Sequence, residues 1–188
     1  MSLRALSNAQ LLKMVIGSRK AERLCDAMLA SLFFAEEGSQ HYVRELAAAR
    51  ELMMRSMEAD MQTREAFSTP AHTSKYLKVL LGGYEHEVFA CLFLNNRHQL
   101  IAAEELFRGT IDGTSVHPRE VVKRALALNA AAVIFAHNHP SGVAEPSRND
   151  LVLTERLKQA LGLVEIRVLD HFVVTSTTHT SLAEKGIM

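Results

Sequence analysis

Hydrophobic positions in residues 1–66 recur every three or four places. Leu24, Met28, Leu29 and Leu32 form such a stripe in RKAERLCDAMLASLF, and Val43, Leu46, Ala47, Leu52 and Met53 continue it in QHYVRELAAARELMMRSMEAD. That period predicts helices, and Ser7 ahead of NAQLLKMVI is a residue type that caps helix starts. Beyond residue 75 the pattern changes. EVFACLFLN (87–95) and QLIAAEELF (99–107) read as two strands joined by a turn in NNRH. HPREVVKRALALNA reads as a helix with Pro118 near its first turn. AAVIFAH (131–137) is a short buried strand. PSRNDLVLTERLKQALGL is a helix started by Ser147, and VEIRVLDHFVVT (164–175) is a last strand. Between the two patterns lies FSTPAHTSK (67–75), a Ser/Thr/Pro-rich break that marks the expected boundary. The expectation is a small all-α segment, 1–66, followed by an α/β domain, 67–188. The β-β-α-β-α-β order of that domain predicts a mixed β-sheet flanked by helices.

Charge removes some classes of function. Lys plus Arg and Asp plus Glu number 21 each. Residues 1–66 carry nine of each sign. Neither the chain nor its helical segment therefore has a global electrostatic attraction for nucleic acid or membrane, and any DNA binding is expected to be weak and sequence-independent. The two cysteines, Cys25 and Cys91, sit in apolar runs without C-x-x-C spacing. They read as reduced thiols of a cytoplasmic protein, not as a disulfide framework or a Cys-based zinc site. No apolar run approaches the roughly 18 residues of a membrane span, and MSLRALSNAQLLKM lacks the apolar core of a signal peptide. The methionines on the helical stripe read as core packing.

The chemistry concentrates in HNHPSGVAEPSRND, residues 137–150. Side chains two apart on a strand share a face, so His137 and His139 can aim their imidazoles into one site, with Pro140 ending the ladder. After a turn at Ser141-Gly142 the chain enters a helix whose first turn holds Asp150, which can point back to the strand end. Two neutral imidazoles and a carboxylate suit zinc, leaving a fourth position for a water that ionises near neutral pH. The plainer reading is a strand end, a turn and a capping box, because Ser147-x-x-Asp150 fits that pattern too. H-x-H-P followed by S-x-x-D at the end of so apolar a strand favours the metal, and a capping Ser147 is compatible with it.

H-x-H-P-x(6)-S-x-x-D is also the metal motif of the JAMM (MPN, JAB) metalloproteases. HNHPSGVAEPSRND, with VFACLFLN and FRGTIDGTSVHPREVVKRALALNAAAVI before it and LDHFVV after it, resembles the RadC family of bacterial JAMM proteins from about residue 75 to 186. The resemblance implies a JAMM/MPN-like fold, broadly similar to that of the cytidine deaminases. It implies a zinc-dependent hydrolase cleaving a peptide or isopeptide bond, with His137, His139 and Asp150 as ligands. Ser147 would donate to the developing oxyanion. The motif's general base, a Glu on an early strand, would be Glu87, with Glu85 its rival on the same strand parity. Substrate choice would lie in loops such as 108–117 and in partner proteins.

Other residues carry less. Asp170 and His171 interrupt an apolar strand, so at least one of them is expected to be buried with a partner. His171 reads either as a group behind a ligand or as a hydrogen-bonded core histidine. His117 at a helix start reads as surface, and Asn138, facing away from the two histidines, as structural. Many RadC relatives carry a helix-hairpin-helix near the N-terminus. Here that segment offers one glycine, Gly38, beside two acids, a degenerate form with few amides or cations for phosphate. A DNA-repair-associated binding module with little or no catalysis is the alternative to a hydrolase. A zinc deaminase needs H-x-E and P-C-x-x-C, which neither cysteine fits. The contiguous letters HNH do not make the nuclease motif of that name, whose residues are dispersed.

Overall fold

The computed structural model describes residues 3, 6–24, 32–33, 35, 38, 42–63, 70–109 and 116–188. Cys25 and the helical stripe around Met28 and Leu29 lie outside them. The chain divides into two compact units, Met1–Arg55 and Ser56–Met188.

In the first unit, helix α1 (Asn8–Ile16) starts at Ser7 with a reciprocal capping box. The Ser7 hydroxyl accepts the Gln10 amide proton, and the Gln10 side chain accepts from the Ser7 amide. Gly17, at φ +80°, turns the chain into α2 (Ser18–Arg23). Leu12, Ile16, Ala21, Leu32, Val43 and Leu46 bury their side chains together, with Leu46 on helix α3 (Arg44–Thr63).

The second unit is built on a five-stranded sheet ordered β2-β1-β3-β4-β5. Its strands are β1 (Val88–Leu94), β2 (Leu100–Arg108), β3 (Ala132–Asn138), β4 (Arg167–Val174) and β5 (His179–Ser181). β3 and β4 run parallel through helix α6 (Arg148–Gly162), and every other neighbouring pair is antiparallel. The sheet is therefore mixed and flanked by helices, as the element order predicts. β1 and β3 are buried along their whole length, which is why both read as continuous apolar runs. Their odd-numbered residues Phe89, Cys91, Phe93, Val133 and Phe135 pack with Val121 and Ala125 of helix α5 (Pro118–Ala127) and with Leu157 and Leu161 of α6. His137 continues that odd-numbered series.

Two elements depart from the sequence reading. Pro70–Leu81 is a helix, α4, so the break over 67–75 is helical from residue 70 onward. Proline suits a first helical position, where its missing N–H has no partner to lose. Ser and Thr hide a stripe in which Thr73, Tyr76, Leu77 and Leu81 are buried, and α4 packs against β3, β4 and β5. β5 was not expected, since TSTTHTS is short and polar. It forms because the turn after β4 folds the chain back onto Phe172–Val174.

Candidate metal centre

β3 delivers the first two residues of the site. It runs one residue past His137, and Asn138 ends it. The His139 amide still bonds to the Val174 carbonyl at 2.9 Å, so the chain beside β4 remains fixed. A turn closes from Gly142 N–H to the His139 carbonyl at 3.1 Å, with Gly142 at φ +81°, a conformation glycine adopts without penalty. The turn brings the Val143 carbonyl to 2.8 Å from His139 Nδ1. A carbonyl can only accept, so Nδ1 carries a proton and Nε2 is the His139 atom that faces the site.

α6 delivers the third. Ser147 caps it, and its hydroxyl oxygen accepts from the Asp150 amide at 3.2 Å while the Ser147 amide donates to Asp150 Oδ2 at 2.6 Å. The box holds the carboxylate toward β3. Asp150 Oδ1 lies 3.4 Å from His137 Nε2 and Oδ2 lies 3.7 Å from His139 Nε2. The two Nε2 atoms are 3.0 Å apart. One ligand atom from each of His137, His139 and Asp150 falls within 4.8 Å of the others, an arrangement that can hold a metal ion.

The electrostatics favour a cation among these atoms. Burial works against the Asp150 carboxylate, yet the His137 and His139 imidazoles and the Ser147 side chain hold its carboxyl well below the usual range. The Asp150 hydrogen bond raises His139, against its burial, and the Val143 carbonyl and the Glu87 charge add to the rise. Two imidazole nitrogens at 3.0 Å beside a carboxylate need a shared proton or a metal ion between them. The donor set, two nitrogens and one oxygen, fits zinc.

The remaining candidates sit around this centre. The β1–β3 register pairs Phe89 with His137, so two places further on Glu87 falls opposite His139. Glu87 is half-buried and Glu85 is exposed. Asn138 holds the segment carrying Glu87. Its Oδ1 accepts from the Val88 amide at 2.7 Å, and its Nδ2 donates to the His86 carbonyl at 2.9 Å and the Tyr84 carbonyl at 3.2 Å. Ser147 spends its oxygen on the helix cap, which leaves its O–H proton to donate. His171 is fully buried, with Nε2 2.8 Å from His137 Nδ1, and Phe89 and Phe135 lie edge-on to its ring. Asp170 is buried too, accepting from the His171 and Ala183 amides and from the Ser181 hydroxyl. His117 is exposed. Residues 110–115 of the expected specificity loop lie outside the described residues. Thr154, which the sequence reading did not single out, stands 2.6 Å from His171 Nδ1. The available signal was its place one helical turn after Asp150, on the same face of α6.

Comparison with known proteins gives the same picture. A family profile described as a RadC-like JAB domain matches residues 67–187. The chain is 59% identical over 144 residues to a UPF0758 protein of Polaromonas sp. strain JS666, covering 77% of this chain and 64% of that protein. It is 58% identical over 144 residues to a UPF0758 protein of Nitrosococcus oceani, again covering 77% of this chain and 64% of the relative. A UPF0758 protein of Marinobacter nauticus is 58% identical over 151 residues, covering 80% and 67%. The match thus spans about two-thirds of each relative's length. An H-x-H at the end of a buried strand, an Asp presented by a capped helix and a matching profile over most of the chain agree: this chain belongs to the RadC family and carries its JAB domain.

Proposed function

We propose that the protein is a zinc-dependent hydrolase of the JAMM type that cleaves a peptide or isopeptide bond. One observation carries the reading: His137, His139 and Asp150 converge with two imidazole nitrogens and a carboxylate at 3.0 to 3.7 Å. When bound, zinc supplies a Lewis acid that polarises a carbonyl and makes a coordinated water acidic enough to ionise near neutral pH. The protein's residues would do the rest. The Glu87 carboxylate, opposite His139, takes a proton from the attacking water and returns it to the departing amine. The Ser147 hydroxyl, fixed at the helix start, donates to the oxygen of the attacked carbonyl as it gains charge. Asn138 keeps Glu87 in place through the Val88 amide.

Glu87→Gln tests the assignment, because it keeps shape and hydrogen bonding and removes the base. Zinc-loaded wild type and variant are incubated with a proteome-derived peptide library, and new amino termini are counted by mass spectrometry. The wild type produces new termini, while Glu87→Gln keeps its zinc and fold and cleaves about 100- to 10,000-fold more slowly. Glu85→Gln cleaves like the wild type. Full activity in Glu87→Gln removes Glu87 from the mechanism, and loss of zinc makes it a ligand. A zinc-loaded wild type that cleaves nothing leaves a binding domain.

A further inference from the structure

Thr154 lies on α6, almost fully buried, behind the candidate ligands. Its hydroxyl touches two groups at 2.6 Å, the backbone carbonyl of Asp150 and Nδ1 of His171. It has one proton to give. The carbonyl has none, so a 2.6 Å oxygen–oxygen contact requires the Thr154 proton to lie in it. This back-bond to the residue four places earlier is an ordinary use of threonine in a helix. Here it has a consequence, because the hydroxyl oxygen can only accept from His171.

The directions of the next bonds follow. His171 Nδ1 carries the proton that it donates to Thr154. The ring is fully buried, and its two nitrogens meet only the Thr154 hydroxyl and the His137 imidazole, so no carboxylate in contact supports a second proton and the ring holds one. That proton is on Nδ1, and His171 Nε2 must accept. Its partner at 2.8 Å is His137 Nδ1, which therefore donates. His137 is left with the lone pair of Nε2 facing His139 and Asp150. Reversing the chain would put two acceptors in contact at Thr154 and Asp150, deep in the core.

We infer that Thr154 is a positioning residue that sets the tautomer of His137 through His171. The circuit closes on itself: the main chain of Asp150 orients Thr154, Thr154 orients His171, and His171 orients the imidazole that meets the Asp150 side chain. Phe89 and Phe135, edge-on to the His171 ring, keep water from supplying a substitute partner. His139 reaches the same tautomer separately, through the Val143 carbonyl. Both imidazoles thus offer Nε2, the state a divalent cation requires. This deepens the metal reading and rests on it only where zinc affinity is concerned.

The test uses the whole chain, stripped of metal with chelator, at pH 8. Long-range ¹⁵N–¹H spectra of the histidine rings report which nitrogen carries the proton, and titration with zinc chloride against a competing chelator reports affinity. In the wild type His137 shows Nδ1–H and a bare Nε2. Thr154→Val keeps size and shape and removes the hydroxyl. It is expected to populate the opposite tautomer at His137 and to weaken zinc binding about 10- to 100-fold. Thr154→Ser restores both. A backbone amide spectrum like that of the wild type confirms that each variant is folded. A wild-type His137 protonated on Nε2 overturns the inference. So does a folded Thr154→Val with unchanged ring spectra and zinc affinity. A wild type with the expected tautomer that takes up no zinc upholds the relay and refutes the metal reading.

Discussion

Two histidines, His171 inside β4 and His139 just past the end of β3, titrate with opposite consequences for stability. Burial above all holds His171 neutral in the fold, while the unfolded chain takes up a proton near the ordinary imidazole value of about 6.5. Its contribution is therefore present above that value and is lost as pH falls below it. His179, lowered chiefly by burial, adds the same sign. His139 is raised, foremost by Asp150. Its contribution is full below about pH 6.5 and is lost as pH rises through the raised folded value. Together they predict that metal-free wild type is most stable near pH 6.5. In His139→Gln the alkaline decline disappears, leaving a plateau from about pH 7 to 8 and a fall on the acid side. Urea denaturation across pH 5 to 8 measures this. An alkaline decline that survives in His139→Gln contradicts the assignment to that ring.

β1 to β4, α5 and α6 were legible in the chain, each for a physical reason. β1 and β3 are buried on both faces and so are apolar throughout. α6 announces its start with Ser147 and Asp150, whose side chains meet the free amides there. α4 and β5 were not legible. The polar start of α4 resembles a loop, and its buried stripe becomes clear only from Tyr76 onward. β5 depends on pairing with Phe172–Val174, a contact no local pattern encodes. Of the site, the ligand spacing could be read because strand parity and the helix cap are local. The links through Thr154 and Asn138 could not, because they join elements 17 to 54 residues apart. The end of α4 offers a test of packing. A Cβ on Gly82 would lie 2.6 Å from the Lys78 carbonyl oxygen and 3.1 Å from that of Thr175, both main-chain atoms. Gly82→Ala should destabilise the second unit by about 1–3 kcal/mol, read as a lower denaturation midpoint. A midpoint equal to wild type would show that α4 shifts freely against the chain after β4.

At the scale of the whole molecule, the RadC-like JAB profile covers residues 67–187, and that region holds all the chemistry developed above. The relatives extend beyond the matched part. None of the helices among the described residues is long and apolar enough to cross a membrane. The formal charge is zero, so the chain as a whole offers no net long-range attraction to a charged partner. The central claim is that this centre holds zinc through His137, His139 and Asp150. Its most direct test is the metal content of zinc-loaded, extensively dialysed protein, measured by mass spectrometry of the metal against protein concentration. The account predicts about one zinc per chain in the wild type, three protein ligands being enough to retain it, and little in a folded His139→Ala variant. A wild type that retains no zinc, or a His139→Ala that retains as much as wild type, would contradict it.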